Sequence, residues 1–269
     1  MILTISILAI ITYILATYKL ASMLLSQNET MSGYSKTPVL LLGFIALFLH
    51  FIILFETVRT QSGLNFGFFN ALSLMAWGIS FIVMLIALMK PLENLAVIFF
   101  PLTALCLTLE IIFPSSRILS ESAPMGLRIH IMLSIFAYCL LTIAALQALI
   151  LALQERQISN KHPSTIMKLP PLQVMETLLI QIITIGFFML SLSLITGLMF
   201  IQDIFAQHLV HKTVLSIIAW AVFGILLWGH WAAGWRGKKL ISWTMGGFIC
   251  LMLAYFGSKL VLEIILKRV

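Results

Sequence analysis

The sequence predicts an all-α, polytopic transmembrane helix bundle of about eight spanning helices, and three observations predict it. Of its 269 residues 61% are apolar and 9% charged, where a globular chain carries about a quarter charged, and the mean hydropathy is +1.12. The apolar residues fall into runs of about 20, the length that crosses a bilayer core. The prolines and polar residues collect in the links between runs.

The first run, Ile2 to Leu25, lacks a basic leader and a small-residue cleavage site, so it reads as a retained span. Ser26 to Thr37 is a polar link, and Pro38 opens a second span that ends near Arg59. After TQSGLNFG a third span runs from Phe68 to Met89, and a Lys90-Pro91 turn leads to a fourth, Leu95 to Phe113, with Pro101 inside it. The loop PSSRILSESAPMG precedes a long fifth helix, Leu127 to Leu153. The polar segment Gln154 to Glu176 follows, and its Pro170-Pro171 pair stops any helix ahead of span six. Spans six, seven and eight are Thr177 to Ile201, Thr213 to Ala232 and Ser242 to Leu266. Together they read as one membrane domain over residues 1–269, with glycines such as Gly186, Gly197, Gly224 and Gly229 allowing close helix approach.

Spans seven and eight meet at a basic turn, WAAGWRGKKLISW, around which five of the six tryptophans gather. Tryptophan marks the membrane interface, and basic residues mark cytoplasmic loops. Nine lysines and arginines fall on the side of this turn and seven on the other, three of them at the C-terminal end. The turn is therefore read as cytoplasmic and both termini as extracytoplasmic. The formal charge of +7 comes from scattered basic residues with no stripe, so topology explains it and a nucleic-acid partner is not expected.

Cys106, Cys139 and Cys250 lie in apolar runs with no CxxC or CxxCH, which speaks against thiol exchange and covalent haem attachment. No HExxH, GxSxG or phosphate loop is present, so no enzyme activity is expected. No inverted repeat points to a transporter. Glu56, Glu93, Glu110, Asp203 and Glu263 fall near span ends and read as interfacial or paired charges.

Polar groups inside spans are the default candidates for a site. His50 lies about twelve residues into span two, roughly 18 Å deep. His130 stands near one end of span five and His230 near the opposite face in span seven. A neutral imidazole can ligate haem iron or another metal. His208 and His211 share an i, i+3 spacing in a loop and, like His162, read as solvated.

LHFIILFETVR around His50, NFGFFNALSLMAW, GLRIHIMLSIFAYCLLTIAAL around His130, MKLPPLQVME, and LLWGHWAAGWRGKKLISWTMGGFICLMLAYFGSKL around His230 resemble the cytochrome c assembly family. That family includes the CcsA, CcmC and HemX types, and within it the likeness is to the YpjD-like inner-membrane proteins. The resemblance covers nearly the whole chain. It implies a haem-handling protein of the bacterial cytoplasmic membrane that binds or delivers haem non-covalently in cytochrome c assembly. It further implies His130 as an outer haem ligand and His50 and His230 as intramembrane candidates for the iron.

On that reading Trp77, Trp228 and Trp231 stack on the macrocycle. The partners are then haem, membrane lipid, and other cytochrome c biogenesis proteins or a haem-synthesis enzyme. The family's tryptophan-rich motif, resembling WGxxWxWDxKE, belongs between Gly197 and Trp220, where this chain has LMFIQDIFAQHLVHKTVLSIIA. The family's histidine after span eight is likewise absent from SKLVLEIILKRV. The alternative is an accessory or regulatory membrane protein of the same fold that binds a protein partner through its basic loop, Arg156 to Lys168, and no haem.

Overall fold

The computed structural model describes residues 2–25, 37–60, 63–89, 93–114, 117–120, 122–159, 170–200 and 210–257. Eight α-helices carry nearly all of them: α1 (Ile2–Leu25), α2 (Thr37–Val58), α3 (Phe68–Met89), α4 (Glu93–Ile112), α5 (Met125–Ser159), α6 (Leu172–Phe200), α7 (Val210–Ala233) and α8 (Lys238–Met252), the last continued by a π-helical turn, Leu253–Gly257. Seven of them, α1 to α7, are long and apolar enough to cross a membrane. The chain is thus an all-α, polytopic bundle, as its composition requires. The expected end of span eight at Leu266 lies outside the described residues, as do His162 and His208 and the side chain of His211.

Two compact units divide the chain. In the first, α1 packs on α2 and α4, and α3 packs on α2 and α4. Large apolar side chains are exposed along its helices, among them Phe48, Phe51 and Phe55 on α2, the surface a helix presents to lipid. One end of this unit carries a feature absent from the all-helical expectation, a three-stranded antiparallel sheet of β1 (Arg59–Thr60), β2 (Gly63–Asn65) and β3 (Ile118–Ser120). Leu64 pairs with Arg59 on one side and Leu119 on the other. Asn65 fastens it, its Oδ1 accepting from the backbone N–H of Gly67 at 3.0 Å and of Arg117 at 2.9 Å.

In the second unit α5 and α6 pack along most of their length, α7 lies on α6 and α8, and α8 returns to α5. α5 extends six residues beyond its expected end at Leu153. The α7–α8 turn uses two glycines at positive φ, Gly234 at 64° and Gly237 at 55°, a backbone region that other residues enter only with strain.

Candidate functional site

The three intramembrane histidines fall into two classes by what their ring nitrogens meet. His50 belongs to the first unit and is fully buried. Its Nε2 lies 2.9 Å from the Ser73 hydroxyl and its Nδ1 3.3 Å from the Tyr13 hydroxyl. A neutral imidazole offers one donor and one acceptor, so one hydroxyl donates to the ring and the other accepts from it. Tyr13 also stands edge-on to the ring at 5.9 Å. Both nitrogens of His50 are committed, and α1, α2 and α3 are joined through them.

His130 and His230 belong to the second unit and share a different arrangement. Nδ1 of His130 donates to the Ser193 carbonyl at 2.8 Å, and Nδ1 of His230 donates to the Trp235 carbonyl at 2.8 Å. A carbonyl can only accept, which fixes the proton of the neutral ring on Nδ1 and leaves the lone pair on Nε2. Among the described residues neither Nε2 has a hydrogen-bond partner. A backbone carbonyl behind one nitrogen with the other nitrogen unbonded is the orientation that metal-ligating histidines adopt.

Each ring rests on a glycine platform or its equivalent. A Cβ at Gly197 would lie 2.9 Å from Cε1 of His130, so only glycine lets α6 pass this close. Ser134, one turn after His130, donates to the His130 carbonyl and pairs with the Ser193 hydroxyl at 2.7 Å. At His230 the chain folds back so that the Trp235 N–H donates to Gly229 O at 3.1 Å and the indole covers Gly229, leaving no room for a Cβ there. Trp243 at 5.4 Å and the Lys239 ammonium at 5.7 Å also pack on that indole. The Gly237 N–H then donates to Glu176 Oε1 at 2.8 Å, and the Glu155 carboxylate approaches the same glycine.

These contacts set the separation of the two rings. His130 on α5 meets Ser193 near the end of α6, whereas the turn below His230 meets Glu155 near the end of α5 and Glu176 near the start of α6. The 25 residues from His130 to Glu155 span roughly 37 Å of helix. The two imidazoles stand at opposite ends of the unit and do not face one iron together.

The tryptophans singled out from the sequence differ in their surroundings. Trp77 donates from Nε1 to Leu47 O at 2.9 Å and stacks on Phe81 at 5.2 Å with the planes 6° apart, so it packs α2 against α3. Trp228 and Trp231 are 75% and 65% exposed, the placement of interfacial anchors.

Sequence reasoning missed Tyr13 and Ser73 as partners of His50, since neither stands near it in the chain. It also placed Glu110 among interfacial or paired charges. Glu110 does lie two residues from the end of α4, but it is 5% exposed and neither carboxylate oxygen has a hydrogen-bond partner among the described residues.

The chain is 34% identical over 262 residues to the inner membrane protein YpjD of Escherichia coli strain K12, covering 97% of this chain and 98% of the relative. It is 22% identical over 264 residues to the cytochrome c biogenesis protein CcsA of Prochlorococcus marinus, covering 88% and 84%. No solved structure matches it. The family described as cytochrome C assembly protein matches residues 38–266, a range that takes in all three histidines and the turn below His230. With that span and the full-length likeness to YpjD, this chain is a member of the cytochrome c assembly protein family.

Proposed function

We propose that the chain handles haem in the bacterial inner membrane, holding it non-covalently by histidine and passing it on unchanged in cytochrome c assembly. The observation that carries this reading is the shared arrangement at His130 and His230, where a backbone carbonyl behind Nδ1 leaves Nε2 as the free ligand atom. Bound haem would supply an iron that takes an imidazole nitrogen. The protein supplies position and surroundings.

Because the two rings stand at opposite ends of the second unit, they serve two positions of the cargo and not two axial sites on one iron. With both termini extracytoplasmic, the His230 position is the cytoplasmic one and the His130 position the outer one. His50 takes a supporting part, since ligation there would remove its hydrogen bond to Ser73 or to Tyr13. Trp228 and Trp231 hold the His230 end at the level of the headgroups. The family and the name of the CcsA relative support other cytochrome c biogenesis proteins as partners.

The test is a visible spectrum of the chain purified in mild detergent from haem-replete cells. The reading expects a Soret band that weakens in His130→Ala and in His230→Ala and disappears in the double variant. Normal yield of a colourless protein that also fails to take up added haemin overturns it.

A further inference from the structure

We propose that Glu110, with Thr57 and Ser73, forms a binding site for one monovalent cation, a proton or a sodium ion, inside the first helical unit. The proposal does not rest on the haem reading. Glu110 is 95% buried, and the Thr57 and Ser73 side chains face its carboxylate. Neither hydroxyl closes an ordinary hydrogen bond onto it: both carboxylate oxygens and Thr57 Oγ1 are buried without a hydrogen-bond partner among the described residues. Asn70, also buried, fixes the neighbouring backbone by donating from Nδ2 to the Thr57 carbonyl at 3.2 Å.

A carboxylate out of water and without a partner is strongly unfavourable, the more so at membrane depth. A single bound positive charge removes the cost, and carboxylate and hydroxyl oxygens suit a proton or an alkali ion rather than a soft metal. No three His, Cys, Asp or Glu side chains gather among the described residues, which leaves a divalent ion without a ligand set. Around Glu110 the other ionisable side chains are Tyr13 on α1, His50, Glu56 and Arg59 on α2, Cys106 on α4 and Arg117 beside the sheet, and α3 carries none.

The polar groups also give the site a direction. Thr57 is the penultimate residue of α2, leading into β1, and Asn70 and Glu110 each stand two residues from the sheet-bearing end of their helix. From there Ser73 leads inward to His50 and Tyr13, where the file ends against Phe100 at 5.5 Å. Phe100 also lines a cavity of about 20 Å³ whose other lining residues are all apolar, Leu20, Val39 and Met84 among them. The cation enters and leaves by the sheet end, the nearer one; the next buried polar pair inward among the described residues, Ser80 and Thr103, is bonded to itself at 2.6 Å.

The experiment is carbodiimide labelling of the full chain in lipid nanodiscs, read by peptide mass spectrometry. Dicyclohexylcarbodiimide modifies buried protonated carboxyls: the acid O–H adds across the C=N bond, the oxygen going to carbon and the proton to nitrogen, with no leaving group. Labelling is followed over a pH series with sodium chloride or with choline chloride. Glu110 is expected to react and the Glu110→Gln chain not to react at that peptide.

If sodium is the resident cation, it slows labelling about tenfold at ten times its dissociation constant, and Thr57→Val weakens that protection. If the proton is resident, labelling depends on pH, differently from the exposed Glu56, and is indifferent to sodium. Glu110 left unmodified at every pH and salt, or modified with the same pH and sodium dependence as Glu56, overturns the proposal. Size-exclusion profiles matching the native chain establish that the variants fold.

Discussion

Nδ1 of His230 donates to the carbonyl of Trp235 five residues later, and the N–H of Trp235 donates back to Gly229 just before the histidine. One short loop therefore fixes both the direction of the imidazole and the seat of the indole over Gly229. The sequence G-H-W-A-A-G-W-R-G encodes this closure: a Cβ at Gly229 would overlap the indole, and Gly234 takes a φ of 64° that other residues adopt only with strain.

Gly229→Ala tests the closure. A Cβ there would overlap the Trp235 ring, so the indole must leave its seat against Trp243. Overpacking of this kind costs about 1–3 kcal/mol. A lowered melting temperature and a red-shifted tryptophan emission are expected, whereas Gly246→Ala, with nothing within 4 Å of its added Cβ, leaves both unchanged.

Gly197→Ala probes the other ring. Its Cβ would stand 2.9 Å from Cε1 of His130, pushing the imidazole off the Ser193 carbonyl. Haem content per folded chain is expected to fall, as in His130→Ala, while the spectral contribution at His230 persists.

His50→Leu separates support from ligation. It strands the Tyr13 and Ser73 hydroxyls, each at a cost of about 1–3 kcal/mol. Adding Ser73→Ala to His50→Leu then costs less than the sum of the single changes, a coupling that thermal melts resolve. Haem content per folded chain stays at the native level.

Glu176→Ala removes the acceptor of the Gly237 N–H. Amide exchange at Gly237 accelerates about fivefold, because one net hydrogen bond is worth about 1 kcal/mol. Exchange in the middle of α6 is unaffected.

The number, order and approximate ends of the helices were legible because a bilayer demands apolar runs of a certain length and little else. The sheet of β1 to β3 was not, since strands of two or three residues leave no periodicity to read. The surplus of α5 was missed because its last turns, QERQIS, are polar and look like loop when membrane length alone sets the boundary. The histidines themselves were visible as isolated polar residues in apolar runs. Their division into one doubly bonded ring and two singly bonded rings was hidden, because it depends on Tyr13, Ser73 and Ser193, which reach them from other helices. Glu110 was misjudged for a related reason. Distance from a helix end locates a residue along the axis and says nothing about which way its side chain faces.

The 35 residues of α5 make roughly 50 Å of helix, against about 30 Å of hydrocarbon. Ordinary tilts absorb only part of that excess. The remaining turns stand proud of the lipid, and Glu155, close to their start, carries the loop below His230 out with it. Water-soluble quenchers are therefore expected to reach Trp235 from one compartment alone, a direct handle on which way the molecule is inserted.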